Sequence, residues 1–381
     1  MFNILFFVVC LVGCVTCHTM KEDLEIEREL KRINKVPLKS IHTKFGDIVD
    51  CIDIYKQPAF DDPLLKNHKL QKRPRFKLRT KEKSEKTSSI KAVFGLQEDK
   101  CPTGTVPIKR ATKNDLIGGK SYFNNGVFEN THGNHYAEVI SKPGIYESYN
   151  GVSGTSRVYN VNIKNNQTSS SVMYVRSGPD GTSYIGMGWH VAPQLYNDDA
   201  THFYAVWTTD NFKTSGCYNL QCFGFIQTSQ NNYFGGRIDN TSIYGGQMIE
   251  MKISIAQDPQ TYNWLLIFEN ELLGYFPTTL FSNLNYATQV GWGGRTSSLE
   301  GDSNPPMGSG YYPDRIYTHA SYFRYVTYQV NNSTTDIEPK QNEIEEVCDK
   351  PKCYSVKYYG TYDSEVGYSL QFGGPGGNCD D

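Results

Sequence analysis

Two histidines, His132 and His135, form the only close pair among the eight histidines of the chain. Their His-x-x-His spacing lies in a stretch rich in Gly and Asn, which predicts a loop. A zinc site needs three or four converging ligands, each oriented by further hydrogen bonds. Two loop histidines do not meet this requirement, and the cysteines lack the paired C-x-x-C spacing of a zinc site. We therefore expect no metal centre and no cofactor.

Ser309, Cys217 and Cys222 carry nucleophilic groups in distinctive local patterns. Ser309 lies between two glycines, but a nucleophile elbow requires G-x-S-x-G between a strand and a helix. Neither the motif nor that context is present around Ser309. Cys217 and Cys222 enclose four residues. In a secreted chain this spacing favours a small disulfide loop over a catalytic thiol.

Paired carboxylates are the remaining source of acid–base chemistry. Predicted turns hold several of the acids, and an aspartate in a turn is usually structural: Asp198, Asp199, Asp210, Asp258, Asp302 and Asp314. Glu250 alternates with apolar residues in a predicted strand, so we expect it on the solvated face. No two acids stand out as a dyad. A rearranged site that uses Glu250 or Asp210 stays open as an alternative.

Aromatic residues offer a different chemistry, because exposed rings can stack on the faces of sugars. The chain contains 27 Tyr, 19 Phe and 4 Trp. Trp189, Trp207 and Trp292 could form such a platform, although a Trp in a strand more often belongs to the core. A carbohydrate-binding β-sandwich module is therefore a second alternative.

Short strands must position these residues. Apolar and polar residues alternate strictly over residues 249–255, and further strands are predicted at residues 171–176, 203–208 and 264–269. Clusters of Gly, Asn, Asp and Pro separate them, without intervening helical patterns. This organisation predicts an all-β fold, either an antiparallel β-sandwich or a curved, jelly-roll-like barrel.

The first part of the chain is basic. Residues 18–100 contain 20 Lys and Arg against 14 Asp and Glu, whereas the rest contains 18 against 26. A basic leader on an acidic body predicts that the leader docks on the body. Within the leader we expect a helix over residues 21–34, a strand over 47–54 and a basic linker over 66–86. That linker could hold the processing site or serve only as a tether.

Compartment and partners follow from four further features. Residues 1–17 resemble a secretory signal peptide that is too short to span a bilayer comfortably, so we expect no membrane association after its removal. Seven cysteines follow it, and an oxidising compartment would pair six of them. Sequons predict N-glycosylation at Asn166, Asn240, Asn331 and Asn332. The total of 38 basic against 40 acidic residues gives no reason to expect nucleic acid as a partner.

Eight short segments stand in order along the chain: residues 57–68, 101–108, 216–222, 224–227, 244–246, 274–277, 307–310 and 373–376. Together they resemble the plant neprosin family, secreted glutamic peptidases that cut after proline. The first segment is similar to the neprosin activation peptide, and the second to the start of the mature domain. The resemblance divides the chain into a signal peptide (1–17), an activation-peptide-like leader (18–100) and a neprosin domain (101–381).

The resemblance also implies a fold and a set of cross-links. The body should be an antiparallel β-sandwich of two curved sheets, preceded by a partly helical propeptide, with a cleft across one sheet. Cys348 should remain unpaired, and the implied disulfides are Cys51–Cys101, Cys217–Cys222 and Cys353–Cys379.

The family carries one catalytic glutamate in each of two glycine-framed segments, which correspond to residues 184–189 and 290–295. The matching positions are Gly186 and Arg295. In the family one glutamate activates water while the other, protonated, acts as an acid. Gly186 has nothing to titrate, and Arg295 stays protonated and cannot act as a general base. Residues 302–306 also depart from the family's Thr- and Gln-rich pattern.

We therefore expect a secreted protein, in the extracellular space, cell wall or vacuole, whose catalysis is impaired. Its cleft, lined by Trp189, Trp292 and Arg295, would bind a proline-rich or cell-wall polypeptide. The arginine would favour an anionic group of the ligand. An active, proline-directed acid peptidase that uses other carboxylates is the alternative.

Overall fold

The structure is a computed structural model that describes residues 23–76, 89–96, 99–124, 133–178, 181–361 and 366–379. The predicted signal peptide, His132 and residues 77–86 of the basic linker lie outside the described residues. No helix in these ranges is both long enough and apolar enough to cross a bilayer.

Helices are few and short. Residues 23–33 are helical, within the predicted leader helix, and α1 (Lys113–Asn124) and α2 (Pro193–Tyr196) follow. Short 3-10 turns occur at Pro58–Asp61, Pro63–Leu65 and Thr278–Leu280.

Strands dominate the described residues. In chain order they are β1 (Lys39–His42), β2 (Ile48–Asp53), β3 (Ile90–Lys91), β4 (Thr105–Lys109), β5 (Asn134–Ser141), β6 (Tyr149–Arg157), β7 (Thr168–Ser177), β8 (Ser183–Val191), β9 (Thr201–Thr208), β10 (Cys217–Tyr218), β11 (Ile226–Gln227), β12 (Ile249–Gln257), β13 (Trp264–Phe268), β14 (Glu271–Phe276), β15 (Gln289–Ser297), β16 (Ser321–Val330), β17 (Ile344–Cys348), β18 (Ser355–Thr361) and β19 (Tyr368–Gly373).

Two large antiparallel sheets form the predicted β-sandwich. One has seven strands in the order β10-β9-β8-β7-β15-β5-β17. The other has nine, in the order β11-β14-β13-β12-β6-β16-β19-β18, with the short leader strand β3 pairing in parallel with β12. A separate three-stranded sheet, β1-β2-β4, joins two leader strands to the first strand after Cys101.

Period-two alternation explains how the two large sheets pack. In β12, Ile249, Met251, Ile253 and Ile255 are all buried in the main core, as the sequence predicts. Glu250 points to the opposite face of the same strand. Each large sheet thus has an inner face in the core and an outer face turned away from the other sheet.

The expectation that Trp189 and Trp292 line the cleft is wrong. Both are 0% exposed and lie in the core between the sheets. Their indole N–H groups donate across the core to the carbonyls of Arg157 (2.9 Å) and Ser153 (3.1 Å), both on β6 of the facing sheet. Trp207 also belongs to the core, which removes the tryptophan platform suggested for sugar binding.

All three implied disulfides, Cys51–Cys101, Cys217–Cys222 and Cys353–Cys379, are present. Cys348 is half-buried and unpaired. Burial raises the pKa of its thiol, so the reactive thiolate is disfavoured at neutral pH.

Candidate functional site

Gly186 and Arg295 both lie on the outer face of the seven-stranded sheet. Gly186 is on β8, opposite Tyr174 of β7, and Arg295 is on β15, opposite Ser170 of the same strand β7. Each position is three residues from a core tryptophan, Trp189 or Trp292. Because side chains alternate along a strand, an odd separation places them on opposite faces.

A buried ion pair occupies this face. The Arg295 Nε donates to the Glu138 Oε1 at 2.5 Å, and the two side chains are 23% and 4% exposed. The Tyr174 hydroxyl donates to the other carboxylate oxygen of Glu138 at 2.8 Å. Glu138 therefore contacts a cation and a phenol, each on a different strand, rather than a second carboxyl group.

Gly293 makes this arrangement possible. It is paired with Glu138 across the β5–β15 ladder, and a Cβ at position 293 would lie 2.9 Å from the Glu138 Cγ and 2.3 Å from a backbone oxygen of β5. The glycine thus leaves room for the carboxylate side chain to lie across β15 towards Arg295.

Electrostatics fix the charge state of the arginine. Burial alone would lower the pKa of Arg295, but the charge of Glu138 outweighs it and holds the pKa well above its ordinary value. Burial raises the pKa of Tyr184 to about 12, although the charge of Arg295 acts to lower it. At neutral pH the arginine is therefore a cation, and Tyr174 and Tyr184 are neutral phenols.

Two stacked tyrosines fill the space beside Gly186. The rings of Tyr174 and Tyr184 stack with their centroids 5.1 Å apart, and the Arg295 Cζ lies 5.2 Å and 5.4 Å from these two centroids. A Cβ built on Gly186 would lie 2.7 Å from the Tyr184 Oη and from its Cε1. The Tyr184 ring therefore takes the volume that a side chain at position 186 would need.

The Tyr184 hydroxyl is buried and has no hydrogen-bond partner among the described residues. The rest of the outer face around it is apolar, with Val172, Tyr204 and Val206 in one buried cluster with the two tyrosines, and with Ile140 and Phe212 packed against that cluster. Because the tyrosine rings are buried, the accessible part of this face comes from the partly buried Ile140 and Phe212 and from the Arg295 side chain.

Glu250, the first alternative carboxylate, lies on the outer face of the other large sheet. It is buried rather than solvated, which corrects our expectation. It accepts from the Arg324 Nε at 2.6 Å and Nη2 at 2.7 Å, and from the Tyr322 hydroxyl at 2.5 Å. Leader strand β3 runs beside Glu250 and contributes to its burial, which the alternation within β12 could not reveal.

Asp210, the second alternative, has a structural role in a turn. Its carboxylate accepts from the backbone N–H and hydroxyl groups of Thr214 and Ser215. Burial acts to raise its pKa, but these hydrogen bonds outweigh burial and hold the pKa well below its ordinary value. Neither Asp210 nor Glu250 forms a hydrogen bond or ion pair with the Arg295 site.

The remaining sequence candidates lie apart. The His135 Nδ1 is paired with Asp349 at 2.7 Å, and the described ranges hold no group of three His, Cys, Asp or Glu side chains suited to a metal ion. The sequon residues Asn240, Asn331 and Asn332 are exposed, whereas the amide of Asn166 donates to Asp302 at 2.6 Å. Glycosylation at these four positions stays a prediction.

Sequence reasoning missed Glu138, Tyr174 and Tyr184. Tyr184 could have been identified from the sequence, because it is two residues before Gly186 and so lies on the same face of the strand. Glu138 could not have been identified in this way, because its contact with Arg295 depends on the pairing of β5 with β15. The two residues are 157 positions apart in the sequence.

Comparison with known proteins adds two findings. A family model described as Neprosin matches residues 165–375, which include Gly186 and Arg295, and one described as Neprosin activation peptide matches residues 40–148, which include Glu138. The fold is similar to crystal structures of scytalido-glutamic peptidase with a transition state analog inhibitor and with a peptide based transition state analog. Each is 9% identical and covers 64% of this chain and 98% of that chain, with TM-scores of 0.36 and 0.35.

Proposed function

This chain belongs to the neprosin family, and we propose that it is a secreted member that no longer cleaves peptides. On the outer face of its seven-stranded sheet it binds a polypeptide, either proline-rich or of cell-wall type. The observation that carries the proposal is the Arg295–Glu138 ion pair, packed against Tyr174 and Tyr184.

Impaired catalysis follows from the chemistry of the two positions. By resemblance they should hold the carboxyl groups that transfer protons, and each such group typically contributes about 10²–10⁴-fold to a rate. Gly186 contributes no group, and Arg295 contributes a permanent cation. Glu138 brings a carboxylate to the site, but this carboxylate already accepts from Arg295 and from Tyr174.

Polypeptide binding is supported by the composition of the same face. The partly buried ring of Phe212, packed against the buried tyrosines, offers apolar surface on which a proline ring can pack. The Arg295 side chain is 23% exposed, and its guanidinium group can donate to a peptide carbonyl. Because Glu138 neutralises this cation, the preference for an anionic ligand is weaker than the arginine alone implies, and a neutral polypeptide suits the site.

Passage through the secretory route is supported by the cross-links. Three disulfides are characteristic of proteins that fold in an oxidising compartment. Together with the sequence of residues 1–17 and the exposed sequons, they favour a secreted product.

The test has a cleavage arm and a binding arm. We expect purified protein, with or without acid treatment, to leave proline-containing peptides intact between pH 3 and pH 7, and to bind a proline-rich polypeptide in calorimetry. Arg295→Ala should weaken this binding. Lys252→Ala, on the outer face of the other sheet, should not, and serves as the matched control.

The alternative of an active acid peptidase would be favoured by cleavage that Glu138→Gln abolishes and Glu250→Gln leaves intact. Absence of both cleavage and binding, in protein shown to be folded, would refute the binding role and leave only the loss of catalysis.

A further inference from the structure

The part of the leader that precedes the cut tested below, residues 23–76, is called the leader segment. It shares a sheet with the body. Strand β2 lies between β1 and β4, and it pairs with β4 from Val49–Lys109 to Asp53–Thr105. The guanidinium of Arg110, just after β4, binds the buried carboxylate of Asp50 through two hydrogen bonds of 2.7 Å and 2.6 Å. Loss of the leader segment would leave β4 without its neighbour.

The side chain of Gln57 caps an edge of the nine-stranded sheet. Its Oε1 accepts from the backbone N–H of Gln227 at 2.8 Å, and its Nε2 donates to the carbonyl of the same residue at 3.1 Å. Gln227 belongs to β11, the edge strand of that sheet. The amide of Gln57 thus replaces one peptide unit of a missing strand at an edge that would otherwise offer unpaired backbone groups.

Gln71 joins a buried polar network of the body. Its Nε2 donates to the carboxylate of Asp258 at 2.7 Å, and its Oε1 accepts from Asn263 and Thr261 at 2.8 Å each. Its backbone N–H donates to the Tyr275 hydroxyl at 2.9 Å. Asp258 is fully buried, so removal of the leader segment would take hydrogen-bond donors from a buried charge.

Apolar leader residues complete the core itself. Ala59 and Leu65 belong to the same buried cluster as the residues between the two large sheets. A segment that only masked a cleft would rest on the surface of an already closed core. Instead, this segment supplies part of the core, one strand partner and one edge cap.

From these contacts we propose that the leader segment is a permanent structural part of this protein rather than a releasable mask. After a cut in the basic linker the protein persists as two chains, and the small chain stays bound even without the Cys51–Cys101 disulfide. This proposal is independent of the proposed function, since neither cleavage nor ligand binding enters it.

The test uses the full secreted chain with residues 79–85 replaced by the recognition sequence of a site-specific protease, and with Cys51→Ala and Cys101→Ala. The other two disulfides stay oxidised, so no reductant is needed. After complete cleavage we expect a single peak in size-exclusion chromatography at micromolar concentration. That peak should give two bands on a denaturing gel. Elution of the small chain in a separate peak would overturn the proposal.

Two variants refine the measurement. Gln71→Ala should raise the dissociation constant of the small chain by about 10-fold or more, because a hydrogen bond to a buried charge is lost. Lys69→Ala changes an exposed neighbour and should leave the constant unchanged. Equal dissociation constants for the two variants would contradict the role of the Asp258 network. Whether the small chain stays bound at all is still decided by the elution of the cut protein without these two substitutions.

Discussion

Replacing Arg295 with methionine should destabilise the protein at neutral pH, because it leaves the Glu138 carboxylate buried without its cation. Glu138 would retain only the Tyr174 hydroxyl as a hydrogen-bond donor from the site described above. Breaking a buried ion pair by removing one partner typically costs about 3–5 kcal/mol. The partial exposure of Arg295 places this case at the lower end of that range.

Protonation sets an upper bound on that cost. The variant can always bind a proton at position 138 instead of keeping an unpaired charge. An ordinary glutamate titrates near 4.3, and each pH unit above that value makes protonation about 1.4 kcal/mol more expensive. At pH 7 the bound is therefore roughly 3.7 kcal/mol.

The pH dependence has a definite sign. A carboxyl group that holds its proton more tightly in the folded than in the unfolded chain contributes stability at low pH, and that contribution is lost as the pH rises. The free energy of unfolding of Arg295→Met should thus be about 3 kcal/mol lower than that of the natural chain at pH 7. This difference should shrink towards pH 4. Denaturant unfolding at several pH values measures it.

The matched control is the double variant Glu138→Gln, Arg295→Met. It removes both charges, and replacement of a buried pair by neutral groups of similar volume is often nearly neutral. We expect it to recover most of the stability and to lose the pH dependence. A single-variant deficit below about 1 kcal/mol at pH 7, as for an exposed pair, would refute the account of this site.

Three further predictions concern the same sheet. Gly186→Glu should lower the melting temperature unless it is combined with Tyr184→Ser, and only the triple variant that adds Arg295→Glu is expected to gain peptide cleavage at acid pH. Tyr184→Phe should be neutral or stabilising, because it removes a buried hydroxyl without a partner, whereas Tyr174→Phe should cost about 1.5–3 kcal/mol in denaturant unfolding through the loss of its hydrogen bond to a carboxylate. Trp292→Phe should cost about 1–3 kcal/mol, because the core loses part of a fully buried indole and the Ser153 carbonyl of the facing sheet loses its donor.

Much of the fold was within reach of the sequence. The alternation in β12 predicted a strand with one buried face, and the resemblance implied the three disulfides that the structure contains. The same alternation, applied to residues 184–189 and 290–295, would have placed Trp189 and Trp292 in the core. That error came from treating the tryptophans as neighbours of Gly186 and Arg295 rather than as residues on the other face.

The contacts within the candidate site were harder to predict from the sequence. The partner of Arg295 comes from a strand in the segment matched by the activation-peptide model, so no local pattern around Arg295 points to Glu138. The burial of Glu250 likewise depends on Arg324 and on a leader strand, both distant in sequence. Contacts of this kind are set by sheet pairing, which periodicity does not determine.

The alternation of side chains along β8 and β15 has an evolutionary consequence. Residues that hold the sandwich together and residues that could carry chemistry occupy the same short strands but point in opposite directions. Substitutions on the outer face therefore leave the packing between the sheets untouched. A lineage could therefore change residues of the outer face while natural selection continued to preserve the inner face, so that chemistry carried on the outer face and the scaffold can change independently.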